Sequence, residues 1–393
     1  MTRLPIGIAG VGAVCGVGDD VPTILDAFSN GHCTPVKTLP FKSTITCPTF
    51  QVSTELPILP ERYNNSRSLR LAICAVREAM KDAAIERFDA GARVGVCIGT
   101  TVACQLNSVQ FYGAYRRGEE PPLDSVWNYL HANLAQAVAK LLKVSGPRMT
   151  VVNACSSGTD AIGVAASWIR AGVCDVAIAG GADEIHPVPL AGFWSLGVMS
   201  AEPCAPFDRN RSGLNLGEGA GMMVLESSAH ANARGRRNRF EVAGFGSACD
   251  GYHLTAPHPE GRGLDAAIAA ALAQAEISPD QIAFINTHGT ATQDNDRAEG
   301  KVLARLFGPE VRCLSTKGYT GHALGAAGAL EAVFTYLGLR EMWIPASAGF
   351  RERDEDVAVA PVSQRTAIQG TYALSTSLAF GGNNAALVIG RRA

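Results

Sequence analysis

The sequence predicts an α/β protein built as two similar halves, each a mostly parallel sheet covered by helices on both faces. Three observations carry that prediction. Apolar runs of strand length alternate with stretches of helical apolar spacing and leave through glycine-rich exits. The order of these elements over residues 1–232 recurs over residues 233–393. A chain of 393 residues that is 47% hydrophobic and only 18% charged can also bury the large core that such a duplicated body needs.

Taken in order, Ile6-Gly7-Ile8-Ala9-Gly10-Val11-Gly12 reads as a first strand with a glycine turn. A dinucleotide fingerprint would need a third glycine where Cys15 stands and a compact helix–strand return, and the proline-punctuated region after Cys33 offers neither. Over residues 68–84, Leu69, Leu71, Ala72, Ala75, Val76, Ala79 and Met80 recur at helical spacing. Residues 93–98 read as a buried strand ending at Gly99-Thr100-Thr101. Residues 148–152 read as another buried strand that runs straight into Cys155. Ala161, Ile162, Val164, Ala165, Trp168 and Ile169 then give a helix that Cys155 opens. Residues 175–181 form the next strand. In the second half come a helix over 264–275, a strand over 281–286 ending in His288-Gly289-Thr290, a strand over 311–316 and a helix over 326–339. Each half closes on a stretch that reads as a hairpin of strands, 217–225 and 380–389. The polar stretch 227–238 places the boundary near His230, giving halves of 1–232 and 233–393.

Composition narrows the class. A formal net charge of -2 supplies no whole-molecule field for nucleic acid or an anionic membrane. Eleven cysteines without CxxC pairs, or Cys/His groups at metal spacing, argue against a disulfide framework and a metal site; a reducing cytoplasm is the expected setting. Residues 6–18 are glycine-rich and lack the cleavage pattern of a secretory leader. No mainly apolar, uncharged run reaches the ~18 residues of a membrane-spanning helix, so a soluble protein is expected.

Three stretches carry chemistry. Cys155 stands at a helix start, where unpaired N–H groups and the helix dipole favour a thiolate, and Ala154, Ser156, Ser157 and Gly158 leave room for an acyl group. His288 ends a strand amid small hydroxyl residues, the position where ligand and catalytic groups collect in open α/β sheets. Lys317 and His322 lie five apart on a glycine-rich loop before a helix that carries Glu331.

These residues resemble an elongating β-ketoacyl-acyl carrier protein synthase of the thiolase superfamily. Asn153-Ala154-Cys155-Ser156-Ser157-Gly158 is similar to that family's nucleophile motif. Asn286-Thr287-His288-Gly289-Thr290 and Lys317-Gly318-Tyr319-Thr320-Gly321-His322 are similar to its two histidine motifs, in the family's order. Residues 206–213, Gly217-Glu218-Gly219-Ala220-Gly221 and Phe380-Gly381-Gly382 complete a resemblance that covers essentially the whole chain. It implies the duplicated thiolase fold, five-layered α-β-α-β-α and normally dimeric. It implies acyl transfer to Cys155, with backbone N–H groups of Cys155 and Phe380 as the oxyanion hole. His288 and His322 would donate to the enolate left when a malonyl thioester loses CO₂, and its carbon would attack the acyl group. Lys317 would bring positive charge, with Glu331 as its ionic partner or a loop anchor, and Thr290 and Thr292 would hold the phosphopantetheine arm. No cofactor is implied beyond that arm on an acyl carrier protein.

Related readings differ at particular residues. A degradative thiolase carries a second cysteine where this chain has residues 380–384, and an initiating synthase pairs its cysteine with one histidine and an asparagine. A chain-length factor resembles a synthase but lacks the cysteine; this chain could be its active partner subunit, a homodimer, or a non-elongating thiolase-like acyltransferase. Against the family pattern, Leu378 replaces an aromatic, Ala379 a glycine, Asn383 a threonine, Ser212 an aspartate and Leu214 a phenylalanine; the resemblance puts all five near the acyl pocket or its gate. The family's carrier is acidic, and Arg67, Arg70, Arg116, Arg117, Arg209 and Arg211 are candidates to meet it.

Overall fold

The structure, a computed structural model, describes residues 5–64, 66–89, 91–102, 109–121, 123, 126, 130 and 133–392. Among the described residues, ten strands form one hydrogen-bonded sheet in the order β3-β2-β4-β5-β1-β6-β12-β11-β7-β8. In the first half these are β1 (Ile6–Cys15), β2 (Val94–Gly99), β3 (Arg148–Val151), β4 (Val176–Asp183) and β5 (Gly219–Ser227). In the second they are β6 (Phe240–Cys249), β7 (Ile282–Asn286), β8 (Cys313–Leu314), β11 (Tyr372–Ala379) and β12 (Asn383–Arg391); β9 (Trp343–Ile344) and β10 (Thr366–Ala367) pair apart. Numbered within its own half, each set has the order 3-2-4-5-1. The senses agree as well: strand two runs parallel to strands three and four, while strand five is antiparallel to strands four and one. The halves join where β1 pairs with β6 through Ile6, Gly7 and Ile8.

Layering follows from which helix faces are apolar. Helices α1 (Arg67–Asp82) and α2 (Leu134–Leu142) cover the outer face of the first half. Helices α3 (Ser157–Arg170) and α6 (Ala327–Glu341) touch each other and strands of both halves, forming the middle layer. Helices α4 (Arg262–Ala275) and α5 (Gln293–Phe307) cover the outer face of the second half. The middle helix α6 is buried from Ala327 to Leu339 on every side, as a helix between the two halves of the sheet must be.

Several local expectations change. The glycines of β1 make no turn: the strand runs unbroken to Cys15, and Gly10 and Gly12 let α1 cross it. A Cβ at Gly10 would stand 2.3 Å from the Ala79 carbonyl oxygen, and one at Gly12 2.2 Å from that of Ala75. Strand β3 is an edge rather than a buried strand: Met149 within it is 45% exposed, and Val152 just beyond it 55%. The expected strand over 311–316 contracts to Cys313–Leu314. Only the second closing pair is a tight hairpin. In the first, β4 and β5 are antiparallel, but residues 184–218 intervene and include a helix at Pro187–Ser195.

Candidate active site

The strand exits of both halves meet in a cavity of about 440 Å³. Its lining includes Cys155, His288, Thr290, Thr292, His322, Leu378, Ala379 and Phe380. Lys317 and Glu331 stand behind it, buried.

Cys155 is placed by a strained turn. Ala154 holds a left-handed φ of 48°, which turns the chain sharply between β3 and the start of α3. The Ser157 side chain donates to the Ala154 carbonyl at 2.6 Å and accepts from Asn153 N at 2.8 Å. Asp160, in the first turn of α3, accepts from Asn153 Nδ2 and Ser156 Oγ. The thiolate expected from the helix start is not what this environment favours. Burial pushes the Cys155 thiol up to about 12, although Lys317 and the Phe380 N–H pull the other way. The short range of a helix terminus does not offset complete desolvation.

His322 Nε2 lies 3.1 Å from Cys155 Sγ, and the His288 ring stands edge-on to His322 with centroids 5.3 Å apart. Burial and the nearby Lys317 hold both imidazoles well below their usual pKa, so both are neutral. Lys317 Nζ is 3.2 Å from His288 Nδ1, donates to the His288 carbonyl and pairs with Glu331. An ammonium can only donate, so His288 Nδ1 accepts and Nε2 carries the ring proton. Burial pushes Glu331 up to about 7, against the pull of Lys317. The Phe380 N–H faces the Cys155 sulfur and favours its thiolate, and the Phe380 ring stacks on Phe193 at 5.3 Å. Thr290 and Thr292 share a hydroxyl–hydroxyl bond of 2.8 Å.

Of the five departures, Ser212, Leu214, Leu378 and Ala379 line the cavity; Asn383 instead donates to the Phe380 carbonyl. Ala379 ends β11 paired with Asn383, and the left-handed φ of this turn falls on Gly381 (86°) and Gly382 (79°). The basic patch largely dissolves. Arg67 is bound to Glu218, and Arg70 to the carbonyls of Leu56 and Pro57. The Arg211 side chain is fully buried against Asp354 and Gln293. Arg117 and Arg209 are exposed but paired with Glu119 and Glu352. Arg116 is exposed on the last turn of a short helix.

The sequence reading also missed two acids. Glu299 accepts from the backbone of His288 and Gly289 at 2.8 Å each and from Thr376 Oγ1 at 2.7 Å; Asp296 accepts from Thr290 N and Phe207 N. They hold the His288 loop against the start of α5. Their spacing of three on one helical face, directly after the histidine motif, was the available signal.

The chain matches the family descriptions "Beta-ketoacyl synthase, N-terminal domain" over residues 58–231 and "Beta-ketoacyl synthase, C-terminal domain" over residues 239–351. It belongs to the β-ketoacyl synthase family. Nodulation protein E of Rhizobium sp. (strain N33) is 34% identical to it, and 3-oxoacyl-[acyl-carrier-protein] synthase 2 of Staphylococcus aureus (strain N315) is 33% identical. Each match covers 97% of both chains. The ketosynthase ApeO, solved in complex with its chain length factor ApeC from Xenorhabdus doucetiae, superposes with a TM-score of 0.86 at 33% identity, over 99% of this chain and 98% of that one. The fold is therefore the duplicated thiolase fold, and the β-ketoacyl synthase is an acyltransferase that forms carbon–carbon bonds.

Proposed function

We propose that Cys155 is the acyl-carrying nucleophile of a decarboxylative condensation whose substrates arrive on the phosphopantetheine arm of an acyl carrier protein. The observation that supports this most directly is the convergence of Cys155 Sγ, His322 Nε2, His288 and the Phe380 N–H on one cavity. Because the thiol is neutral, its proton passes to His322 as sulfur attacks the incoming thioester. The carbonyl oxygen takes up negative charge beside the N–H groups of Cys155 and Phe380; the carrier departs as a thiolate that water protonates, while His322 keeps the thiol proton on Nε2. A malonyl thioester then enters along Thr290 and Thr292 and loses CO₂. The enolate oxygen accepts from His288 Nε2–H, whose tautomer Lys317 fixes, and from His322. The enolate carbon attacks the Cys155 thioester, forms the new C–C bond and releases the sulfur, which takes the proton back from His322. Lys317 and Glu331 act from behind, as a buried pair that orients His288.

The same reading assigns residues 1–232 to a nucleophile half and 233–393 to a histidine half. It needs no cofactor beyond the carrier's arm. A cytoplasmic setting is supported by cysteines that are all free among the described residues, which also include no helix long and apolar enough to cross a membrane. The edge strand β3, with Met149 exposed in it and Val152 just beyond it, supports pairing with a second subunit, either another copy or a chain-length factor; this chain, having its cysteine, would be the active member. The reading is tested by incubating the protein with a labelled acyl thioester of carrier protein and locating the label by peptide mass spectrometry. Label on Cys155 is expected, and label on another cysteine would sink the assignment.

A further inference from the structure

Asp183, the last residue of β4, has no part in the chemistry above, yet it is fully buried and its hydrogen-bond partners are all neutral. Its carboxylate accepts from Thr100 Oγ1 at 2.6 Å, Thr101 N at 2.7 Å, Val102 N at 3.5 Å and Gly325 N at 2.7 Å. These donors belong to the two segments that frame Cys155 and His322. Thr101 extends the connection, because its Oγ1 donates at 3.2 Å to the carbonyl of Ala154, the left-handed residue just before the nucleophile. Gly325 follows Leu324, a second left-handed residue, at φ 52°, just after His322.

The backbones cross here more closely than side chains allow. A Cβ on Gly325 would stand 2.6 Å from Thr100 C and Thr101 N, and one on Gly181 would stand 2.6 Å from the Gly325 carbonyl oxygen. Amides at such a crossing lie beyond the ends of their strands, and a buried N–H without a partner is costly. Asp183 satisfies three of them at one point.

We propose that Asp183 is a positioning residue that fixes the Cys155–His322 contact and, through Val102, ties that pair to the apolar wall of the cavity. Val102 is buried with Leu190, Phe193 and Leu214 in one cluster, to which the Phe380 ring adds. The inference rests on the reading of Cys155 as nucleophile with His322 beside it. A carboxylate has lone pairs enough for four donors, whereas a carboxamide offers one acceptor oxygen and turns its NH₂ toward N–H groups. Loss of the clamp frees Ala154 and Leu324 to relax from their strained conformations, which moves the sulfur from the imidazole.

The test compares the parent, Asp183→Asn, Asp183→Glu and Thr101→Val as purified full-length proteins, using a labelled acyl thioester of carrier protein. Sites are counted by label bound at saturation, and loading rates are expressed per labelled site. Asp183→Asn is expected to load Cys155 on the order of 10²-fold more slowly per site, with KM for the carrier thioester changed by less than about two-fold. Asp183→Glu recovers part of that rate. Thr101→Val, which removes only the arm to Ala154, slows loading by roughly three- to ten-fold. A merely structural role would reduce the number of labelled sites and leave the rate per site at the parent value, which would overturn the inference. If Asp183→Asn does not fold, an unchanged rate per site in Thr101→Val overturns it equally. Parent protein that takes no label on Cys155 would instead bring down the nucleophile reading, a result distinguishable from both.

Discussion

The turn from β3 to Cys155 and the turn from β8 to His322 occupy the same place in their halves, each leading from the third strand into a middle-layer helix. They are built differently. The first is short and strained, with Ala154 at φ 48° and the sulfur at the helix start. The second is longer: it carries Lys317 on its own short helix, then His322, then a 3-10 turn at Leu324–Ala326. The exits of strand four differ in the opposite sense. After β4 comes the long excursion that supplies Phe193 to the cavity, whereas after β11 the turn Phe380-Gly381-Gly382 brings one backbone N–H to the sulfur. Duplication thus sets equivalent strand ends facing one seam, and their divergence divides the labour. The short exits fix single atoms, and the longer ones hold a network or a wall.

The largest effect that could break this comparison is at the short exit. Cys155→Ala is expected to abolish acyl loading while leaving far-UV circular dichroism unchanged; label taken up by the variant would show that another residue carries the acyl group. His288→Ala, at the exit of β7, and His322→Ala, at the long exit of β8, should each slow malonyl decarboxylation ~10²–10³-fold, since each removes one donor to the enolate oxygen. Only His322→Ala should also slow loading of Cys155, because only His322 contacts the sulfur. Release of ¹⁴CO₂ and single-turnover loading separate the two steps, and equal loading by both variants would erase the asymmetry.

A pH titration sharpens the contrast between helix start and burial. The folded thiol is raised toward about 12, so it is protonated throughout the neutral range, and the thiolate fraction grows about tenfold per pH unit. Alkylation of Cys155 by iodoacetamide should therefore climb without levelling between about pH 7 and 9. A plateau near neutrality would mean that the helix start wins after all. The same raised value makes the buried thiol's contribution to stability fully present below its unfolded pKa and lost progressively as pH rises from there through the folded one.

The smallest effects lie in the hairpin turn. Gly381→Ala places a side chain at φ 86°, which costs roughly 1–2 kcal/mol, and should slow loading by moving the Phe380 N–H. Ala379→Gly should not alter the dependence of loading rate on chain length, because Ala379 ends a strand with ordinary backbone. It should only lower stability by about 0.5–1 kcal/mol in chemical denaturation. A chain-length dependence that changed in Ala379→Gly would instead give this residue a part in gating the acyl pocket.

Much of this was legible in the residues themselves. Helical and strand spacings gave the element order and its repetition, because periodicity records which face of each element is buried. The motifs around Cys155, His288 and His322 gave the reaction, because a nucleophile and donors at strand ends need small, glycine-rich neighbours wherever they occur. Met149 and Val152 could not be assigned to an edge, since an apolar run reads the same in a central strand as in one left open to a partner. The Cys155 thiol was read as activated from its helix start alone; its burial depends on the second half closing over it. Arg67 and Arg211 read as surface charges until Glu218 and Asp354 came from distant stretches to meet them. Asp296 and Glu299 left only their helical spacing after the histidine motif, and Asp183 gave no separate signal, since it acts on the backbone amides of Thr101 and Gly325 far away in sequence. The sequence by itself determined the elements, their duplication and the reacting groups, all of which follow from local pattern. Protonation, pairing and separation were decided only by the tertiary structure, because they depend on the water excluded and the partners brought in when the two halves close on each other.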